Sequence, residues 1–285
     1  MSVARPTAIT RKQVTAYLKP RPKDSHKGLF GTVTVIGGGN GMAGAALLAG
    51  RAALKLGAGS VHVGLTADNL PALDTQMPEL MLHTATEALK RSPLPSVLVI
   101  GCGMGQSLAA QKLLYDALQL DAPTVLDADA LNIIAQRPDL RGMLFSRKSA
   151  VVITPHPGEA ARLLGCGTDD IQSGRNESAT VLCKRFNASV VLKGADSICA
   201  TRDGKLHLNQ TGNPGMSSAG MGDVLSGMIA ALMAQGLSAD EAVLLGVHLH
   251  GAVADALAQQ QATIGMSATE VTEWARWLLN QWVSK

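Results

Sequence analysis

Two patterns alternate along the chain. Short, almost unbroken apolar runs rich in Val and Ile recur as TVTVIG (32–37), SVHVGL (60–65), SVLVIG (96–101), PTVLD (123–127), AVVIT (150–154) and SVVLKG (189–194). Between them lie segments of helical period at 43–57, 107–119, 129–136, 157–164 and 172–186. Strands apolar on both faces are buried between layers, and strands separated by helices imply right-handed crossovers into a parallel sheet. SICATR (197–202) and KLHLN (205–209), joined by Asp203-Gly204, predict a hairpin at the sheet edge. From residue 221 the period is wholly helical, with helices predicted over 221–235, 239–260 and 268–283. The pattern predicts one α/β domain, a mostly parallel central sheet with helices on both faces. No repeat, linker or low-complexity segment interrupts it.

Composition sharpens this picture. The chain has 285 residues, 46% hydrophobic and 16% charged, enough for one large core. Aromatics contribute only 3%, so Ala, Leu, Val, Ile and Met must fill that core, as suits helices close-packed on a parallel sheet. The 25 Lys and Arg against 22 Asp and Glu give a net charge of +3, too diffuse for a nucleic-acid partner. Cys102, Cys166, Cys183 and Cys199 lie far apart without a CxxC pair, which argues against a disulfide frame or structural zinc and fits a cytoplasmic protein. The N-terminus lacks a signal-peptide run and no window reaches the roughly 18 apolar residues of a spanning helix, so no membrane partner is expected. Trp274, Trp277 and Trp282, on an otherwise aromatic-poor chain, suggest an assembly surface for a homo-oligomer, a tetramer among the forms.

In open parallel sheets ligands bind beyond the carboxyl ends of the strands. The unusual residues fall there: GGGNGMAG (37–44), GCGMG (101–105), DADALN (127–132), TPHPGE (154–159) and KGADS (193–197). GNGMAG fits the dinucleotide fingerprint GxGxxG, but the next strand ends Val63-Gly64-Leu65-Thr66 without the acid that would hold a ribose. Its glycines either free amides to cradle a ligand or serve tight helix-on-strand packing. Asp127, at a strand end, is placed to orient a magnesium-bound water or a substrate hydroxyl, and Asp129 reads equally as a helix cap. Glu159 is either a cap or a functional acid, while His156, in a proline-held loop, is expected to touch a ligand. Lys193 emerges from an apolar run and needs an anionic partner, for which a nucleotide phosphate is the expected choice.

GNPGMSSAGMGDVLSGMIAALMAQG (212–236) carries one carboxylate in a glycine-rich stretch. Val224, Leu225, Met228, Ile229 and Leu232 share a helical face, so Gly220-Met221-Gly222-Asp223 forms the first turn. Unshielded amides at a helix N-terminus make an anion hole. Asp223 beside it can take the proton of a hydroxyl attacking a phosphoryl group while the amides stabilise the developing charge.

GMGD, with KGADS and TPHPGE upstream, resembles the ribokinase-like superfamily. Within it the chain resembles the ADP-dependent NAD(P)H-hydrate dehydratases, from about Lys27 to about Trp277, through the long segments quoted above and KGLFGTVTVIGGGNGMAGAALLAGRAALKLGAG. The resemblance implies an N-terminal extension over 1–26 and a ribokinase-like domain over 27–285. It implies ADP-dependent dehydration of the S epimer of hydrated NADH or NADPH, releasing AMP and phosphate, with ADP or ATP as donor and Mg2+ required. Asp223 would be the base, with Gly220 and Gly222 in the anion hole. Lys193, Gly194, Ala195, Asp196, Ser197 and Gly222 would hold the nucleotide. Ala43, Gly103, Gly105, His156 and Asp223 would bind the hydrated cofactor, and Glu159 and Asp127 the metal.

Sugar kinases of the superfamily carry Asn-x-x-Glu where this chain has His156-Pro157-Gly158-Glu159, which favours the lyase branch. Many bacterial relatives fuse an epimerase ahead of the match, so a separate epimerase is the expected functional partner here. The rival readings are a vitamin-precursor kinase on the same fold, a non-catalytic nucleotide sensor, and a dehydrogenase, the last weakened by the missing ribose acid.

Overall fold

The apolar runs become adjacent parallel strands. The computed structural model describes residues 5–283. Its strands are β1 (Thr7–Ala8), β2 (Thr32–Gly37), β3 (Ser60–Leu65), β4 (Met81–Thr84), β5 (Val97–Ile100), β6 (Thr124–Leu126), β7 (Val151–Ile153), β8 (Ser189–Leu192), β9 (Ser197–Ala200) and β10 (Leu206–Asn209). They form one 10-stranded sheet in the order β1-β10-β9-β8-β7-β6-β5-β2-β3-β4. Only β9 runs antiparallel to its neighbours, β8 and β10, as the Asp203-Gly204 turn requires.

Alternation along each strand divides the core into two layers. Val33, Val35, Val61, Val63, Val97 and Val99 face helices Ala43–Lys55, Met221–Ala234, Ala239–Gln260 and Ala268–Val283. Ile36, Leu98, Ile100, Leu126, Ile153 and Leu192 face helices Leu108–Gln119, Ala128–Gln136, Pro138–Ser146, Pro157–Leu164 and Arg175–Phe186. The fold class is as the sequence pattern predicts.

The chain leaves β2 towards β3 on one side, whereas β5 returns to the other side of β2. This reversal opens a crevice at the carboxyl ends of β2 and β5. The two loops there are stitched together: the Gly38 amide donates to the Cys102 carbonyl at 2.8 Å and the Gly39 amide to Gly103 at 2.7 Å.

Several elements differ from expectation. The helix predicted over 172–186 is two helices, Thr168–Ser173 and Arg175–Phe186, parted at Gly174. β1, β4 and the helices Arg11–Thr15, Ala85–Leu89 and Pro138–Ser146 were not foreseen. The N-terminal segment adds β1 to the sheet edge beside β10, buries Ile9 and Val14, and ties Arg21 to the Gly57 carbonyl at 2.6 Å and to Gln235 at 2.8 Å. Against expectation, one helix, Ala239–Gln260, is long and apolar enough to cross a membrane, with a mean hydropathy of 1.3, yet most of it is buried within the fold. It is a core helix. Trp282 is buried against His248, and Trp274 packs edge-on against Trp277, whose ring is exposed.

Helix Met221–Ala234 crosses helix Ala43–Lys55 so closely that a Cβ at Gly227 would lie 2.1 Å from the Ala49 carbonyl oxygen. Gly227→Ala is expected to destabilise the fold by about 1–3 kcal/mol or more. Gly142→Ala, on an exposed helix position with nothing within 4 Å, is expected to stabilise it by about 0.5–1 kcal/mol. Thermal denaturation of the two variants reads both signs.

Candidate active site

The helix Met221–Ala234 begins at the carboxyl edge of the sheet with Gly220 as its N-cap, at φ +88°. A side chain there would be strained, and its Cβ would approach Leu48 Cδ1 to 2.5 Å. No side chain caps this end, and the first intrahelical bond is from the Val224 amide to the Gly220 carbonyl at 3.0 Å. The preceding amides, of Met221, Gly222 and Asp223, therefore point out of the positive end of the helix without a capping acceptor. Gly222 is small for a separate reason. A Cβ on it would meet Lys193 Nζ at 3.2 Å and Asp127 Oδ2 at 3.5 Å.

Those two charged groups form the centre of the site. Lys193 follows β8, and its Nζ donates to Asp127 Oδ1 at 2.7 Å. Asp127 follows β6 as the N-cap of helix Ala128–Gln136, accepts from the Ala128 amide at 2.9 Å, and takes the Ser226 hydroxyl on Oδ2 at 2.8 Å. Glu159 stands 3.9 Å from the same ammonium. Burial works against the Lys193 charge, but Asp127 and Glu159 outweigh it and hold its pKa above the ordinary value. For Glu159 burial dominates, and its pKa is raised despite Lys193.

His156 and Glu159 cap helix Pro157–Leu164 reciprocally. His156 Nδ1 accepts from the Gly158 amide at 3.0 Å and the Glu159 amide at 3.3 Å, while Glu159 Oε2 accepts from the His156 amide at 2.8 Å. An Nδ1 that accepts two amides leaves the proton on Nε2, which lies 3.2 Å from Glu159 Oε1. Burial, then Lys193 and Arg162, lowers the His156 pKa and keeps the ring neutral.

Asp223 is the perturbed acid of the site. Burial first, then the negative charge of Asp127, pushes its pKa up to about 6 against the opposing thiol hydrogen bond of Cys102 and the charge of Lys193. A carboxylate with a pKa near neutrality can both accept a proton and remain ionised at physiological pH.

Two cavities lie near this carboxylate. One, of about 540 Å3, is lined by Lys193, Gly194, Ala195, Asp196 and Ser197, by residues 209–214 and by Met221, Gly222 and Leu225. The other, of about 530 Å3, occupies the crevice between β2 and β5 and is lined by Gly39, Asn40, Met42, Thr66, Gly103, Gly105 and Asp129. Asp223 stands between them: its neighbour Gly222 lines the first, and its thiol partner Cys102 precedes Gly103 of the second. A base and a bare helix terminus between two ligand-sized cavities suit transfer of a phosphoryl group from one ligand to the other.

A sequence model of the NAD(P)H-hydrate dehydratases matches residues 33–276. The chain belongs to the NAD(P)H-hydrate dehydratase family. It is 43% identical over 267 residues to the ADP-dependent (S)-NAD(P)H-hydrate dehydratase of Neisseria meningitidis, covering 92% of this chain and 90% of that one. It is 45% identical to the bifunctional NAD(P)H-hydrate repair enzyme Nnr of Escherichia coli, where it spans 50% of the longer protein. The ADP/ATP-dependent NAD(P)H-hydrate dehydratase of Bacillus subtilis, crystallised with ATP and Mg2+, superposes with a TM-score of 0.88 at 31% identity, covering 97% of this chain and 98% of that one.

Within this family frame, the structure brings together most of the residues expected from sequence. Lys193 to Ser197 and Gly222 line one cavity, and Gly103 and Gly105 the other. Ala43 opens its helix beside Met42 of the second cavity. Within the chain the Lys193 ammonium pairs with Asp127, beside the cavity expected to take the nucleotide. Asp127 and Glu159, expected as metal ligands, lie side by side with oxygens bonded to Lys193, Ser226 and backbone amides, and among the described residues no group of three or more metal-ligating side chains assembles. His156, which showed no capping role in sequence, is the N-cap of its helix. The Gly38 and Gly39 amides are spent on joining two loops and are not free to cradle a phosphate.

Sequence reasoning missed Ser226 and the 209–214 loop. Ser226 lies one turn beyond Asp223, which its spacing signals. The loop is braced by Asp255, which accepts from the Gly212 amide at 2.9 Å and Asn213 Nδ2 at 3.1 Å. Asp129 caps no helix but holds the 101–107 loop, accepting from the Gly105 amide at 2.9 Å.

The raised pKa of Asp223 has a cost in stability. Because its folded value of about 6 lies above the ordinary 3.8, the native state binds the proton more tightly than the unfolded chain. Stability is full below the ordinary value and falls as pH rises through the folded one. Asp223→Asn is expected to stabilise the protein by up to about 3 kcal/mol above pH ~7 and to change little below pH ~3. Denaturation midpoints across that range test the sign.

Proposed function

We propose that this chain restores hydrated NADH and NADPH to the intact cofactors in an ADP-dependent dehydration of the S epimer. The observation that carries the reading is Asp223, a carboxylate with a raised pKa beside an uncapped helix terminus, between two cavities. The names of the Neisseria and Bacillus relatives support the substrate and the donor.

The cavity of Lys193 to Ser197 takes the nucleotide and the β2–β5 crevice takes the hydrated cofactor. Asp223 accepts the proton of the C6 hydroxyl as that oxygen attacks the β-phosphorus of ADP. The bond from phosphorus to the AMP oxygen breaks, and AMP leaves with its electron pair. The amides of the first helical turn stabilise the charge on the phosphoryl oxygens. The C6–O bond then breaks with phosphate taking the electrons, C5 loses a proton, and the C5=C6 double bond of the dihydronicotinamide reforms. Lys193 supplies positive charge to the site while its bonds to Asp127 fix Gly222 against it. Asp127 bonds Lys193 and Ser226, Glu159 bonds the His156 amide, and no step is routed through the magnesium ion. In this reading Mg2+ arrives with the nucleotide.

The same reading includes a separate epimerase that supplies the S epimer, a cytoplasmic setting consistent with four free cysteines, and assembly into a homo-oligomer.

Absorbance of the reduced nicotinamide should return when the protein meets hydrated NADH, Mg2+ and ADP or ATP, and not without nucleotide. A flat trace with authentic substrate would overturn the reading in favour of a small-molecule kinase. Asp223→Asn should lower kcat by about 10²–10⁴-fold with ADP affinity retained. For the unmodified protein, kcat/KM should fall about tenfold per pH unit below about 6, the basic form of Asp223 being lost there. A flat profile through that region would remove Asp223 from the base role.

A further inference from the structure

The helix Ala239–Gln260 is buried on nearly all sides and carries two histidines whose surroundings differ. His248 packs against the Trp282 ring and lines neither cavity of the site. His250, two residues on, lines the 540 Å3 cavity together with Val247 and Gly251, one face of the helix at i, i+3 and i+4. Its side chain belongs to a residue only 6% exposed, and its Nε2 is buried with no hydrogen-bond partner among the described residues.

A buried imidazole nitrogen without a partner costs free energy comparable to a lost hydrogen bond; His248 Nδ1 is unpartnered too, but of the two only His250 lines a cavity of the site. The rest of the cavity wall shows which ligand group lies beside the His250 ring. Lys193 and Gly222, beside the uncapped helix terminus, form the phosphate end. Met216, Met221, Leu225 and Val247 form an apolar wall suited to a base. Burial and the nearby Lys193 charge push the His250 pKa down to about 4, so the ring is neutral under working conditions. A neutral imidazole adds no charge for a phosphate, which only accepts. It offers one donor and one acceptor, which match a ribose diol or the edge of a base.

We propose that His250 is a nucleotide-binding residue that hydrogen-bonds the nucleoside half of the phosphoryl donor. The inference rests on the assignment of the 540 Å3 cavity to the nucleotide.

The test is calorimetric titration of ADP and of inorganic pyrophosphate into the unmodified protein, His250→Asn and His250→Phe. Loss of the hydrogen bond should weaken ADP about tenfold in His250→Phe while leaving pyrophosphate unchanged. His250→Asn, which keeps a donor and an acceptor, should recover part of the loss. In turnover the KM for ADP should rise by the same factor with kcat held. Equal ADP affinity in all three proteins overturns the inference, as does an equal loss for pyrophosphate, which would make His250 a phosphate contact or a packing residue. If neither variant folds, nitrogen-15 NMR of the labelled imidazoles in the unmodified protein decides: the His250 ring nitrogens should shift with ADP and not with pyrophosphate, and unmoved resonances at ADP saturation overturn it. Failure of the unmodified protein to bind ADP would instead overturn the cavity assignment itself.

Discussion

The Lys193 ammonium, held by Asp127 and approached by Glu159, is the contact on which the site depends. The three side chains follow the neighbouring strands β6, β7 and β8, so one charge cluster fixes the carboxyl edge of the sheet. Ser226 ties the same Asp127 to the helix that carries Asp223, and Gly222 lets that helix lie against the pair. Asp127 and Glu159 have side chains only 2% and 5% exposed, so neither charge would be tolerated alone. Removing one partner of such a pair costs about 3–5 kcal/mol, because the other is left buried and uncompensated. Position and electrostatics of the site therefore rest on the same few atoms.

That cluster also sets the chemistry. Asp127 makes Asp223 harder to ionise, Lys193 makes it easier, and burial decides the balance in favour of a raised pKa. The outcome is a base poised near neutrality at the mouth of a helix whose first amides carry no cap. A stability optimum would place an uncharged residue at the buried Asp223 position. The chain keeps the less stable arrangement where a ligand can complete it.

The architecture was legible because the central strands are apolar at nearly every position and cannot sit anywhere but inside a sheet covered on both faces. β4 was not, since its MLHT sequence lies at an edge with an exposed or half-buried pattern, and β1 is too short to leave a period. In the site, the glycines and the lone carboxylate of GMGD announced a helix terminus built for an anion. Lys193 was legible as a charge out of place, but its partner lies 66 residues away in sequence and could not be read from local pattern. The capping role of His156 was not legible because imidazole caps are unusual, and its Nδ1 takes the part a hydroxyl usually plays. His250 was hidden in a helix apolar all round, where a polar residue reads as core until the cavity beside it is seen.

The central claim is that the C6 hydroxyl is phosphorylated before it leaves. Hydrated NADH carrying oxygen-18 at C6, turned over with unlabelled ADP in unlabelled water, separates this route from direct loss of water coupled to ADP hydrolysis. Mass spectrometry of the released phosphate should find one labelled oxygen in each phosphate formed with restored NADH. Label recovered in water, with unlabelled phosphate, would contradict the role assigned to Asp223 and to the helix terminus beside it.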